Sequence, residues 1–63
     1  MKGLQFTTNE GKTYEIYNTT ENMIHAVEVN KKGEKRSPNA KTLFNIPMDT
    51  FSRFIGMGII ANT

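Results

Sequence analysis

The chain has no cysteine, no tryptophan, one histidine and two prolines among its 63 residues. Without cysteine there is no disulfide framework, and a single imidazole with no thiolate excludes the usual structural zinc sites. No motif asks for a cofactor, and none is expected. Long hydrophobic runs are also missing. The longest apolar-rich stretch, from Phe51 to Ala61, is broken by Ser52, Arg53, Gly56 and Gly58. It reaches only about half of a membrane span, so no membrane partner is expected. The first residues carry no apolar core of a secretory leader, and the chain is read as cytoplasmic.

What is present suits one small folded domain over residues 1–63. Apolar residues make up 37% and charged residues 22%, outside the disordered and collagen-like ranges. A chain this short buries only about 60% of the surface its unfolded form exposes. Its stability must come from one well-made core, or from a core completed by self-association.

The first half alternates with the period of half-buried strands. Leu4, Phe6 and Thr8 share one side and Gln5 and Thr7 the other. Asn9 to Lys12 form a turn in which Gly11 supplies the positive φ of a hairpin. From Thr13 to Thr19, Tyr14 and Ile16 oppose Thr13, Glu15 and Tyr17. From Met23 to Asn30, Met23, His25, Val27 and Val29 oppose Ile24, Ala26 and Glu28. Apolar residues on both sides mark this last segment as the central strand. Asn30 to Gly33 read as a tight turn, and Glu34 to Arg36 as a short edge strand interrupted at Pro38. Thr42 to Ile46 recover a strand, with Leu43 and Phe44 on opposite faces.

After Pro47 the period becomes helical. Met48, Phe51, Phe54, Ile55 and Gly58 follow one helix face, Asp49 sits in the first turn, and Gly56 and Gly58 end a short helix. Strands followed by a helix predict an α+β fold: a twisted antiparallel β-meander of three to five strands covered by one short C-terminal helix. A variant curls the sheet into a small barrel with Gly58 to Ala61 as the fifth strand. In topology alone that arrangement resembles SH3-like barrels.

No catalytic site can be assembled. The carboxylates Glu10, Glu15, Glu21, Glu28, Glu34 and Asp49 are spread over turns and solvent-facing strand positions. Ser37, Ser52 and His25 fall in no nucleophile pattern, and the Gly56-Met57-Gly58 run follows a helix instead of preceding one. His25 is read as a strand residue satisfied by one hydrogen bond. A cleft uniting Glu15, His25 and Glu28 would be needed to reopen catalysis.

Two features point to binding. Lys31, Lys32, Lys35, Arg36 and Lys41 stand against the single carboxylate Glu34, while the remainder of the chain is net acidic. Such a loop can neutralise phosphates and is the candidate nucleic-acid contact, with Ser37 and Asn39 as neutral donors and Tyr14 or Tyr17 for stacking. The other feature is the apolar C-terminal third. One face of a short helix cannot bury all of its large side chains, and Phe54, Met57 and Ile60 are expected to remain for a protein partner or a homodimer. The expected function is therefore a non-enzymatic interaction module that binds a protein partner or itself through the helix and tail. The alternative is a small nucleic-acid-binding domain using the basic loop. No small-molecule ligand is indicated.

Overall fold

The alternating first half does fold into a meander. In the computed structural model, which describes residues 2–62 with side chains through residue 61, the strands are β1 (Gln5–Thr8), β2 (Thr13–Thr19), β3 (Met23–Val29) and β4 (Leu43–Pro47). Helix α1 (Met48–Gly56) follows, and β5 (Ile60–Asn62) closes the order. All pairings are antiparallel, and the sheet runs β4-β3-β2-β1-β5. β3 is interior, as its two apolar faces require, although the middle position belongs to β2. The fifth strand forms, but β4 and β5 remain the two edges of a curled half-barrel, and α1 packs against both.

Register divides the side chains cleanly. Phe6, Tyr14 and Glu28 occupy one row, and Ile16, Ala26 and Phe44 the next. Ile24 and Ile46 form a third row, and Phe51 of α1 belongs to the same buried cluster. These apolar side chains, with Ile60, make the core. The outer face carries Gln5, Glu15, Val27 and Leu43 in one row and His25 and Asn45 in another. Between them β2 bulges. Ile16 opposes Ala26 but Asn18 opposes His25, so Tyr17 is the extra residue. A bulge re-aims side chains, and here Tyr17 and Asn18 are both exposed.

The helix ends in a two-bond cap. Gly58 adopts φ +77, its N–H donates to the Ile55 carbonyl at 3.1 Å, and the Ile59 N–H donates to the Phe54 carbonyl at 2.9 Å. This is the Schellman arrangement, whose usual companion is an apolar contact between the residues at its two ends. Phe54 and Ile59 both pack against the core. The cap then hands the chain to β5, where Ile60 pairs with Thr8 on the core side. Ile60 is 2% exposed, so its expected place among the leftover apolar side chains is corrected: it is core. Phe54 is half-buried, and Met57, at the cap, is 64% exposed.

The two glycines bracketing Met57 differ in what they tolerate. A Cβ at either position meets nothing within 4 Å, but only Gly58 has a positive φ. Gly58→Ala is therefore expected to destabilise the fold by about 1–2 kcal/mol, whereas Gly56→Ala is neutral or stabilising by up to about 1 kcal/mol. Urea unfolding of the two variants checks this, and equal midpoints would show that the cap does not depend on the left-handed residue.

Candidate nucleic-acid interface

The basic segment is folded against the sheet by two asparagines. Asn30 Oδ1 accepts the N–H groups of Lys32 and Glu34 at 2.9 and 3.0 Å, and Asn30 Nδ2 donates to Glu34 Oε1. Gly33, at φ +82, donates its N–H to the Asn30 carbonyl and completes the turn. Asn39 Oδ1 accepts the N–H groups of Lys41 and Thr42, and its Nδ2 donates to the Ser37 carbonyl at 3.3 Å. Thr42, buried, donates its hydroxyl to the same Ser37 carbonyl at 2.8 Å. Asparagine side chains are suited to such local bonds because they satisfy backbone groups that no ladder reaches. Asn39 is engaged within its own turn through Oδ1 and one N–H of its amide.

The expected edge strand at Glu34 to Arg36 shrinks to a single bridge between Lys35 and Val29. The Arg36 N–H donates to the Glu28 carbonyl at 2.9 Å and extends the attachment. Successive residues of an extended segment point to opposite sides of a sheet, and the two cations behave accordingly. Lys35 Nζ lies 3.3 Å from Glu15 Oε2 on the outer face. Arg36 Nε lies 3.5 Å from Oε2 of Glu28, which shares Tyr14's row. Segment 34–36 thus straps the end of β3 from both sides, and Val27 and Val29 are buried beneath it.

All five expected cations are exposed, but they are not equivalent. Lys35 and Arg36 each have a carboxylate partner. Among the described residues, Lys31, Lys32 and Lys41 have none within 4.0 Å. The two tyrosines also separate. Tyr14 is a core residue, its ring stacked on Phe6 at 5.6 Å and tilted against Phe44 at 4.9 Å. Burial first, then the charges of Glu28 and Glu10, push its hydroxyl pKa up from the ordinary value. Tyr17 is 39% exposed and stands 6.3 Å from His25, ring to ring.

Tyr17 borders a cleft of about 430 Å³ that the sequence did not disclose. Val27 and Leu43 from the outer face, Pro38 from the strap, and Lys35 and Arg36 complete its lining. His25 is nearby in β3, its Nδ1 donating to Asn45 Oδ1 at 2.7 Å across the β3–β4 pair. Glu15 and His25 are on the outer face while Glu28 is on the other, so the three do not form a common cleft. Among the described residues there is no group of three metal-ligating side chains, and no helix is long and apolar enough to cross a membrane.

Glu15 connects the strap to the body of the sheet. Gln5 Nε2 donates to its Oε1 at 3.2 Å. This bond lowers its pKa most; burial opposes it, and the hydrogen bond and charge of Lys35 add to the lowering. A carboxylate whose pKa is depressed by folding contributes stability that is present above the unfolded value and lost as pH falls through the folded one. Wild-type stability should therefore decline as pH drops through and below the ordinary glutamate range. Glu15→Gln should decline less steeply over that window. Parallel pH profiles from chemical denaturation would show that the strap gains nothing from this charge.

Compared with known proteins, the chain matches no protein family, no curated protein and no solved structure.

Proposed function

We propose that the chain is a small non-enzymatic binding module whose ligand is nucleic acid, met by the basic strap at residues 31–41. The observation that carries this reading is the arrangement of the strap's charge. Two asparagine-centred turns hold the segment in one shape, and three exposed lysines on it have no carboxylate partner among the described residues. A solubilising loop needs charge but no fixed shape. A surface that neutralises successive phosphates benefits from both, because cations already held in place lose less freedom on binding.

The test is a salt titration. Each lysine that neutralises a phosphate adds close to one unit to the slope of log affinity against log salt. Lys31→Gln, Lys32→Gln and Lys41→Gln combined should flatten the slope by roughly two to three units. Arg53→Gln, on the exposed side of α1, serves as a control that removes one charge away from the strap and should leave the slope within one unit. An unchanged slope in the triple variant would remove the reading.

A second reading, a protein partner or second copy seated at the end of α1, is favoured by Met57. It is the one large aliphatic side chain left well exposed among the described residues, and Phe54 and Ile59 beside it are only partly buried. Under this reading the chain sediments as an assembly, and Met57→Glu returns it to a monomer. A wild-type chain that stays monomeric at millimolar concentration, with no partner displaced by Met57→Glu, rules it out.

A further inference from the structure

We infer that the cleft beside Tyr17 takes one unstacked base of a single-stranded nucleic acid, with the adjoining phosphate at Lys35. This rests on the nucleic-acid reading of the strap and narrows it to single strands. Phosphates are met by cations, yet the cleft between strap and sheet is lined mainly by Tyr17, Val27, Pro38 and Leu43. A duplex presents phosphates outside and keeps its base faces stacked, so an apolar recess offers it nothing. A single strand presents a flat, weakly polar base and a phosphate one bond network away, and it is bound by aromatic platforms set in basic grooves.

The fold places both components together for identifiable reasons. The bulge between Ile16 and Asn18 leaves Tyr17 outside the ladder and 39% exposed. It is the only exposed aromatic side chain among the described residues. The Val29–Lys35 bridge sets the strap beside β3, and Lys35, whose ammonium lies on the outer face with Glu15, borders the cleft. Its ion pair with Glu15 is half exposed on the cationic side, at 54%. The cation is thus positioned by a carboxylate while its outer side stays open to a second anion. Lys31, Lys32 and Lys41 extend the charge beyond the cleft for the neighbouring phosphates. The occupant follows from this complementarity: an apolar slot for a base and a cationic border for its backbone.

The experiment uses the full chain and three labelled ligands of equal length: oligothymidylate, the corresponding duplex, and an abasic strand with the same phosphates. Fluorescence anisotropy at physiological salt gives the affinities. Intrinsic tyrosine emission reports the site directly, because the chain has two tyrosines and no tryptophan and Tyr14 is buried. The expected result is a preference for oligothymidylate over both other ligands, with quenched tyrosine emission. Tyr17→Ala should lose affinity for oligothymidylate by about fivefold to a hundredfold and change duplex affinity little, while Tyr17→Phe retains binding. The abasic strand tests the same contact on the wild-type chain, independently of how Tyr17→Ala folds. Equal affinity for the thymidylate and abasic strands would overturn the inference. If the triple lysine variant still weakened binding, the reading of the strap would survive that result. Absence of binding to every ligand would overturn both. Competition by polyglutamate as effective as by oligothymidylate would show an acidic-peptide surface instead and would also overturn the inference.

Discussion

The ring of Phe6 is the contact on which the other elements depend. It stacks on Tyr14 of β2 and meets Phe44 of β4 and Phe51 of α1 edge-on, at centroid distances of 5.6, 5.7 and 5.2 Å. Two neighbouring strands at the start of the chain and a strand and helix near its end therefore share one fully buried side chain. Aromatic pairs in these geometries contribute beyond the area they bury, by about 0.5–1.5 kcal/mol each. In a chain without disulfides this cluster takes the place of a crosslink. It also draws β1 and β4, separated by two strands in the sheet, toward the same centre, and the sheet must curl to allow it.

Curling assigns the two faces different tasks. The inner face is occupied by the Phe6 cluster and closed by α1 with its Schellman cap. The outer face has no helix to cover it, yet Val27 and Val29 stand there because β3 is apolar on both sides. The strap answers that need. It pairs with the end of β3 at Val29 and brings Lys35 and Pro38 to the recess that Val27 lines. Because it is narrow, it leaves Leu43 and Tyr17 only partly covered. The cleft is thus the uncovered remainder of a face that the strap shields incompletely, and its basic border is a direct consequence of which residues form the strap.

Side-chain period alone was enough to separate the two faces of β2 and β3, but with Met23, Val27 and Val29 opposite Ile24 and Ala26 it did not say which face of β3 turns inward. The helix and its glycine end were legible as well. Three features were not. The bulge at Tyr17 changes register without changing composition, so nothing in the residue types announces it. The course of the strap depends on Asn30 and Asn39 bonding to backbone groups nearby, and asparagine in a loop has many equivalent partners. Ile60 was misplaced because counting apolar residues against a helix face ignores the strand that begins after Gly58. Of the proposed binding residues, the cations could be named from their clustering. Their separation into paired and unpaired sets required the geometry of Glu15 and Glu28.

That separation decides what the ion pairs are for. Pairs as exposed as Lys35–Glu15 and Arg36–Glu28 contribute roughly 0–1 kcal/mol to stability, too little to explain the strap's position, which the backbone bridge to Val29 and the two asparagine turns already set. Their effect is on where charge stands. They take two cations out of the long-range field, which leaves Lys31, Lys32 and Lys41 as its source: with Glu15 and Glu28 paired, the chain outside the strap carries three cations against three carboxylates. A field with that asymmetry orients an approaching polyanion toward the strap before any contact forms. In the proposed complex the unpaired lysines act at a distance and Lys35 at contact, and the sequence order of the strap places Lys35 between Lys32 and Lys41.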